Sequence, residues 1–353
     1  MRSLRRLYST SHNAFRSAKS MLQQGSFYPS RAKRTDSQRY AFVACIEEGR
    51  LETQALLLFE SIRRYTGAFS RSDIFALSPR KGIGISRRAR RRLRSLQVHY
   101  IDAVLNTECP QYGSANRVAA AAHVARMNHH DILVVLDSDT LFLREPCELH
   151  LSDDIDVAVR PVDMQGICSE GPHDPRDPYW RNLCAAFNVR YEDLPFVESS
   201  VDGKRVKASY NGGLVVARTG SGVLQRWSEI FFNSIQKGIL PYSSGAPFQA
   251  GAGWVSSEVA KLWGTNQAAL SLAIWGATNR VRILSPTYNF PLHYYNHFCV
   301  EVLEQIMNGL VHVHYHWLFG EEFRESNPLL SPDSPLGADQ REWLAEVGLC
   351  RKP

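Results

Sequence analysis

The sequence contains no apolar run long enough to cross a membrane. Its longest candidates, near residues 132–136 and 268–277, are much shorter than the roughly 18 to 20 residues that a spanning helix needs. The first 25 residues also lack the continuous apolar core of a secretory signal peptide. These two absences argue against a membrane-spanning protein and against a secreted one.

Closely spaced cysteine pairs and internal repeats are absent as well. The seven cysteines are scattered, their number is odd, and no CxxC pair occurs among them. This usage predicts reduced thiols in a cytosol-like compartment and excludes a structural zinc cluster. We therefore expect a cytoplasmic protein, with peripheral membrane contact as an option. The chain also has no low-complexity tract.

The composition is that of a soluble globular protein. Of the 353 residues, 44% are hydrophobic and 22% are charged, which are ordinary values. The length suits one large domain or two smaller ones with a sizeable core. We expect a basic arm at residues 1–39, a main domain at 40–325, and a Pro- and Ser-rich linker with a short last helix at 326–353.

The net charge of +6 is unevenly distributed. Residues 1–39 hold nine Lys or Arg and one Asp, and the rest of the chain sums to −2. Apolar residues recur at helical spacing between these basic ones, so residues 1–25 are typical of a basic helix lying on an anionic membrane; a transit peptide and a disordered tail are the alternatives. A second basic run, residues 80–94, is typical of a solvated helix face or of contact with anionic groups.

Strand and helix patterns alternate from Tyr40 onward. Such alternation predicts an α/β fold with a mostly parallel sheet and helices on both faces. We expect strands at 40–47, 72–79, 98–104, 131–139, 154–161 and 207–218, with helices at 49–65, 85–96, 113–131, 220–236 and 265–277. Segments 281–291 and 311–319 are expected to complete the sheet. Residues 162–208 and 238–257 are expected to be loops, the second a flexible lid, and an Asn-Gly-Gly turn is expected at 211–213.

Two acidic residues, Asp137 and Asp139, follow the apolar run ILVVL. Ligands bind at the carboxyl ends of the strands of a parallel sheet, and alternation points both carboxylates to one side. Paired hard oxygen ligands suit Mg²⁺ or Mn²⁺, which keep coordination positions for substrate phosphates. The other interpretation is an exposed turn with a capping Asp. The flanking strand pattern favours a functional pair.

Three histidines alternate in the segment VHVHYHWLF, at positions 312, 314 and 316. Imidazoles on one face of a strand are able to bind a metal ion. The alternative is a set of ordinary edge-strand histidines. One of them, added to Asp137 and Asp139, would complete a divalent-cation site.

The motifs together resemble those of a known enzyme family. They are LDSDTLFL (136–143), YNGGLVVAR (210–218), NQAALSLAIW (266–275), SPTYNFP (285–291) and VHVHYHWLF (311–319). In order and spacing they are similar to the GT-A nucleotide-sugar glycosyltransferases, nearest to the glycogenin-like and bacterial galactosyltransferase-like group, family 8. The resemblance covers roughly residues 40–320.

This resemblance implies a GT-A, Rossmann-like sheet with a smaller acceptor-side subregion. It also implies Mn²⁺ or Mg²⁺ as cofactor and transfer from a nucleotide-sugar, expected to be a UDP-sugar. The acceptor would be a hydroxyl of a glycan or a lipid-linked glycan, as in polysaccharide biosynthesis. Nucleic acid is not an expected partner.

Site residues follow from the same resemblance, position by position. It implies that Asp137, Asp139 and His314 hold the metal. It implies that eight residues bind the donor: Val43, Ala44, Cys45, Arg117, Asp137, Asn211, Gly212 and Gly213.

The sequence departs from the family pattern at two places. Asn266 stands where the family often has Asp, and no Lys follows the histidine motif after Gly320, so Arg324 is the candidate contact for the diphosphate. An inverting enzyme needs a carboxylate base, for which Glu258 is a candidate. A retaining reaction with Gln267 near the anomeric carbon is favoured.

Two other functions compete. A nucleotidyltransferase that makes nucleotide-sugars would favour a Gly-rich basic loop after the first strand, whereas Glu47, Glu48 and Gly49 follow it here. A basic nucleic-acid-binding module has no supporting helix-turn-helix, RNP or zinc signature. Glycosyl transfer is therefore the predicted function.

Overall fold

The alternation of strands and helices begins at Tyr40, as the sequence predicts. The computed structural model describes residues 38–250, 253–316, 328–331, 334 and 336–347, so nearly all of the predicted basic arm lies outside the described residues. The described strands are β1 (Tyr40–Cys45), β2 (Asp73–Ser78), β3 (His99–Asp102), β4 (Ile132–Leu136), β5 (Thr140–Phe142), β6 (Val157–Pro161), β7 (Phe196–Glu198), β8 (Arg205–Lys207), β9 (Tyr210–Arg218), β10 (Phe248–Ala250), β11 (Gly253–Val255), β12 (Val281–Ile283), β13 (Phe290–Pro291) and β14 (His312–His314).

The helices connect these strands and cover the sheet. In chain order the described α-helices are α1 (Arg50–Tyr65), α2 (Arg87–Ser95), α3 (Gly113–Met127), α4 (Asp177–Ala186), α5 (Val223–Gln236), α6 (Ser257–Ala260), α7 (Thr265–Trp275), α8 (Val300–Asn308) and α9 (Ala338–Val347). Among the described residues, every helix is too short or too polar to cross a bilayer.

A seven-stranded sheet forms the centre, in the order β12-β6-β9-β4-β1-β2-β3. Strand β9 runs antiparallel to both of its neighbours, β4 and β6, and the other pairs are parallel. Six strands therefore point their carboxyl ends toward one edge. The predicted mostly parallel α/β sheet is confirmed.

Alternation along the strands divides the core into two layers. Ala41, Val43 and Cys45 of β1 pack with helices α3, α5 and α7, and the intervening Phe42 and Ala44 pack with α1 and α2. All five side chains of β4 are buried, since both faces of the sheet carry helices. This arrangement leaves the carboxyl edge of the central strands as the place where polar side chains collect.

Residues 281–291 and 311–319 were expected to complete the central sheet, and only β12 does so, so the expectation was wrong for β13 and for the described part of 311–319. Strand β14 pairs with β13 and with β5 in a separate three-stranded sheet. Only three residues separate β4 from β5, which leaves Asp137, Ser138 and Asp139 as the connection between the two sheets. The small sheet thus stands at the carboxyl edge of the large one.

Three expected irregular segments contain regular structure. Residues 162–208 include α4 and the β7–β8 hairpin, and residues 238–257 include the β10–β11 hairpin. The expected turn at 211–213 lies inside β9. The predicted last helix is confirmed as α9, where the indole of Trp343 donates to Glu60 on α1 at 3.0 Å.

Candidate active site

The register of the small sheet brings distant residues together at the end of β4. Strand β14 pairs antiparallel with β5, so that His314 lies opposite Thr140, and the amide of Tyr315 donates to the carbonyl of Asp139 at 3.1 Å. Ser138 fixes the connection from the other side, since its hydroxyl donates to the carbonyl of Cys45 at 2.6 Å. The middle residue of the Asp-Ser-Asp motif is therefore structural.

Asp139 lies between two imidazoles. Its Oδ1 is 3.2 Å from Nε2 of His314, and its Oδ2 is 3.4 Å from Nδ1 of His316. The two rings stack with centroids 4.0 Å apart. Burial raises the pKa of Asp139, but hydrogen bonds and electrostatic interactions with the two histidines outweigh burial and hold its pKa well below 3.8. The carboxylate is therefore ionised at neutral pH.

These three side chains fit a divalent cation. One ligand atom from each of Asp139, His314 and His316 lies within 4.8 Å of the others. Burial lowers the pKa of His316, which favours the neutral imidazole that binds metals. Two nitrogens and one oxygen suit Mn²⁺ better than Mg²⁺, which prefers oxygen ligands alone. A three-residue set leaves coordination positions for substrate oxygens.

Asp137, expected as a metal ligand, makes a different contact. Its carboxylate pairs with the guanidinium of Arg117 on α3, and its Oδ2 lies 3.9 Å from Nε2 of His314. Arg117 is buried, whereas the side chain of Asp137 is 28% exposed. The structure therefore brings Arg117, Asp137, Asp139 and His314 together and adds His316, which the predicted metal set did not include, beside Asp139.

The two glycines of β9 make room for this cluster. A Cβ on Gly212 would lie 2.5 Å from Nη2 of Arg117, and one on Gly213 would lie 2.8 Å from Nδ1 of His314 and from Oδ1 of Asn289. Asn211 holds the strand in place, because its Oδ1 accepts from the amide of Gly213 at 2.8 Å. Any larger residue at 212 or 213 would displace a site side chain.

Sequence reasoning missed one carboxylate, Asp163. Its Oδ2 accepts from Nδ2 of Asn211 at 2.7 Å, and its Oδ1 accepts from the hydroxyl of Ser200 at 3.3 Å. Burial raises the pKa of Asp163, although electrostatic interactions with His314, His316 and Arg160 act in the opposite direction. Its position just after β6, at the carboxyl edge of the sheet, was the signal that could have found it.

Asn266 lies behind Arg117. The hydroxyl of Tyr112 donates to its Oδ1 at 3.1 Å, and the indole of Trp227 donates to its carbonyl at 2.7 Å. The guanidinium of Arg117 in turn lies 5.9 Å from the ring centroid of Trp227. Gln267 is half-buried on the first turn of α7. Asn266 is therefore connected to Arg117 through Trp227.

Glu258 lies apart from the site, and the side chains of the β1 residues lie beneath it. Glu258 is on the surface and pairs with Lys261 at 3.0 Å, and no contact among the described residues joins it to Asp139 or the histidines. Val43, Ala44 and Cys45 have side chains buried in the core layers beneath the site. His312, on the same strand as His314, packs against Phe142 in the core. Arg324 lies outside the described residues.

Solved structures with similar shape are glycosyltransferases. The bifunctional glycosyltransferase WbbM has a TM-score of 0.48 and 12% identity, and the match covers 91% of this chain and 53% of WbbM. The galactosyltransferase LgtC, solved with donor and acceptor sugar analogues, has a TM-score of 0.45 and 14% identity, with 89% of this chain and 97% of LgtC covered. The glycosyltransferase GlyE of Streptococcus pneumoniae TIGR4 has a TM-score of 0.47 and 12% identity, with 89% of this chain and 61% of GlyE covered. The chain thus spans about half the length of WbbM. A search of curated protein sequences finds no match.

A protein-family comparison identifies the chain directly. The family model of the Rhodobacterales glycosyltransferase domain matches residues 42–239, which is more than half of the chain. The match includes Asp137, Asp139, Asp163 and the two glycines of β9, and it confirms the predicted glycosyltransferase. The chain belongs to the Rhodobacterales glycosyltransferase domain family.

Proposed function

We propose that this glycosyltransferase is a metal-dependent enzyme that moves a sugar from a nucleoside diphosphate, a UDP-sugar, to a hydroxyl acceptor. The observation that carries the proposal is the meeting of Asp139, His314 and His316 at the carboxyl edge of the sheet. A divalent cation bound there, Mn²⁺ in preference to Mg²⁺, would supply Lewis-acid stabilisation of the departing diphosphate. We assign residues 40–325 to the catalytic domain.

Donor binding is proposed for the residues around Asp137. The ion pair with Arg117 holds the Asp137 carboxylate in one orientation, and its exposed edge is available to the ribose of the donor. Gly212 and Gly213 let the donor sugar approach the backbone of β9 closely. Val43, Ala44 and Cys45 shape the floor below the nucleotide through their backbone.

Acceptor activation is proposed for Asp163. This carboxylate lies in the site, whereas Glu258 pairs with Lys261 at the surface. Asp163 therefore replaces Glu258 as our candidate for the carboxylate that contacts the acceptor hydroxyl. We favour a retaining reaction, in which Gln267 lies near the anomeric carbon and Asn266 supports Arg117 through Trp227. Asp163 then accepts a hydrogen bond from the acceptor hydroxyl, and the departing diphosphate takes the proton.

The acceptor is proposed to be a glycan or a lipid-linked glycan, handled in the cytoplasm. The expected membrane contact through residues 1–25 falls outside the described residues and stays a prediction.

Thermal unfolding in the presence of nucleotide-sugars tests this function. UDP-, GDP- and dTDP-sugars should be screened with Mn²⁺, and a bound donor should stabilise the protein by about 2 to 3 kcal/mol at 100 times its dissociation constant. The UDP-sugar should then be turned over, and Asp139→Ala should abolish that turnover. Asp153→Ala is the matched control, since the Asp153 side chain is 87% exposed. Turnover by Asp139→Ala without added metal would contradict the proposal.

A further inference from the structure

The most concentrated positive charge among the described residues is on helix α2. Six of its nine residues are exposed arginines, and only Ala89 and Leu93 are buried. At 100° per residue, Ala89 and Leu93 point into the core and Arg91 points directly away from it. The exposed arginines are Arg87, Arg88, Arg90, Arg91, Arg92 and Arg94.

Position on the helix decides which arginines are paired. Arg90, on one flank, lies 3.9 Å from Asp102 and covers the ring of Tyr100. Arg92, on the other flank, pairs with Glu60 of α1. The remaining four form what we call the outer face of α2, and they make no ion pair with any of the described residues: Arg87, Arg88, Arg91 and Arg94.

This outer face is electrostatically unfavourable in the isolated protein. Arg91 has like charges three residues away at Arg88 and Arg94 and four residues away at Arg87, and such pairs destabilise a helix. The first turn contains basic residues and no acidic one, which opposes the helix dipole. The arginines are therefore not explained by folding, and they point to a partner that carries negative charge.

The helix also begins at the same edge of the sheet as the candidate active site. Its N-cap residue, Ser86, donates from both its amide and its hydroxyl to the carboxylate of Glu52 at 2.7 Å, in the first turn of α1. The amide of Glu48, just after β1, donates to the carbonyl of Gly84. Helix α2 therefore starts at the carboxyl edge of the sheet, where the site residues collect.

We propose that the outer face of α2 docks the protein on the anionic headgroups of a phospholipid bilayer. The outer face is convex and one helix wide, and its four arginines are spread across it. Such a spread allows several charged side chains to contact a flat anionic surface at once. It carries no exposed large apolar side chain and no free aromatic ring, because Arg90 covers Tyr100. Stacking on single-stranded nucleic acid needs such rings, which favours the bilayer. This surface is independent of the proposed glycosyl transfer.

Vesicle flotation with the full chain tests the docking surface. The variant Arg87→Gln/Arg88→Gln/Arg91→Gln/Arg94→Gln should be compared with wild type on phosphatidylcholine vesicles with and without phosphatidylglycerol. We expect wild type to bind only the anionic vesicles, and each lost arginine to weaken that binding about fivefold, or several hundredfold for four. Added salt should weaken wild-type binding in the same direction.

A matched control distinguishes the effect of the outer face of α2 on vesicle binding from the effect of the protein's net charge. The variant Arg126→Gln/Arg190→Gln/Arg205→Gln/Lys237→Gln removes the same charge at four exposed positions outside α2, and it should keep most of the vesicle binding. Equal binding by the outer-face variant and wild type would overturn the proposal. An equal loss of vesicle binding in the two variants would also overturn it. Binding of the wild-type protein to duplex RNA but not to vesicles would overturn it as well. Turnover of a soluble donor and acceptor should be unchanged in both variants.

Discussion

Asp139 and His314 are 175 positions apart in the sequence, yet Oδ1 of the first lies 3.2 Å from Nε2 of the second. The contact depends on strands β5 and β14, which pair antiparallel with His314 opposite Thr140. Neither residue is close to the other until both sheets have formed. The candidate metal site therefore exists only in the folded chain, so metal binding should stabilise the native state.

His316→Ala should weaken Mn²⁺ binding at least tenfold. His316 lies 3.4 Å from Asp139, and even residues that only support a ligand change metal affinity by tenfold or more. Isothermal titration with Mn²⁺ measures the effect without any substrate. The control is His173→Ala, an exposed histidine on a loop. If His316→Ala binds Mn²⁺ as tightly as wild type, the ligand set proposed for this site is wrong.

Gly213→Ala should reduce turnover strongly and destabilise the fold by about 1 to 3 kcal/mol. The added methyl group would lie 2.8 Å from Nδ1 of His314 and from Oδ1 of Asn289, so at least one of these side chains has to move. Gly220→Ala is a close control on the same stretch of chain, because its Cβ would meet nothing within 4 Å. Turnover and urea unfolding of the two variants should differ; equal values would show that the close packing around Gly213 is not required.

The sequence predicts the parts of the site that depend on local pattern. The apolar run of β4 followed by Asp137 and Asp139 predicts carboxylates at the end of a strand, and the structure places them there. The glycines at 212 and 213 were expected in a turn, but they lie in β9 because the chain must pass close to Arg117 and His314. The sequence pattern therefore identifies these residues as part of the site, but their backbone conformation depends on tertiary packing.

Asp163 and His316 depend on irregular backbone that no periodic pattern encodes. The pairing of β6 with β9 shifts between Val159 and Arg160, so that Arg160 lies opposite Asn211 and the chain after it brings Asp163 to that amide. His316 has a φ of 53°, a left-handed conformation just beyond β14, and its ring stacks on His314 as a result. Simple alternation therefore predicted all three histidines on one face, although His312 is in the core.

The pair of Asp156 with Arg280 should make stability depend on pH. Nε and Nη2 of Arg280 lie 2.8 and 2.5 Å from the carboxylate of Asp156, and this hydrogen bonding holds the pKa of Asp156 below its usual value. A carboxylate whose pKa is lower in the folded than in the unfolded protein stabilises the fold at pH values above its unfolded pKa, which is about 3.9. This stabilisation is lost as the pH falls through the folded pKa. Asp156→Asn should lower the unfolding free energy at pH 7 by about 1 to 2 kcal/mol.

Urea unfolding at pH 7 and at pH 3 measures this dependence. The difference between wild type and Asp156→Asn should shrink at the lower pH, because the wild-type carboxylate is then increasingly protonated. Asp153→Asn, at a side chain that is 87% exposed, should change stability little at either pH. A constant difference at both pH values would mean that the loss comes from packing and not from the charge of Asp156.

Asp163→Asn should separate acceptor activation from metal and donor binding. The amide keeps the size of the side chain but removes its negative charge, so turnover should fall about 100-fold or more if Asp163 orients the acceptor hydroxyl. Mn²⁺ affinity, measured by titration, should change little, because Asp163 is not among the clustered residues Asp139, His314 and His316. Hydrolysis of the donor in the absence of acceptor should also persist.

Ser200→Ala provides the graded comparison. It removes the hydroxyl that donates to Asp163 at 3.3 Å but leaves the carboxylate and the bond from Asn211 intact. Its turnover should therefore lie between those of wild type and Asp163→Asn. An Asp163→Asn enzyme with wild-type transfer would contradict the acceptor role proposed for Asp163.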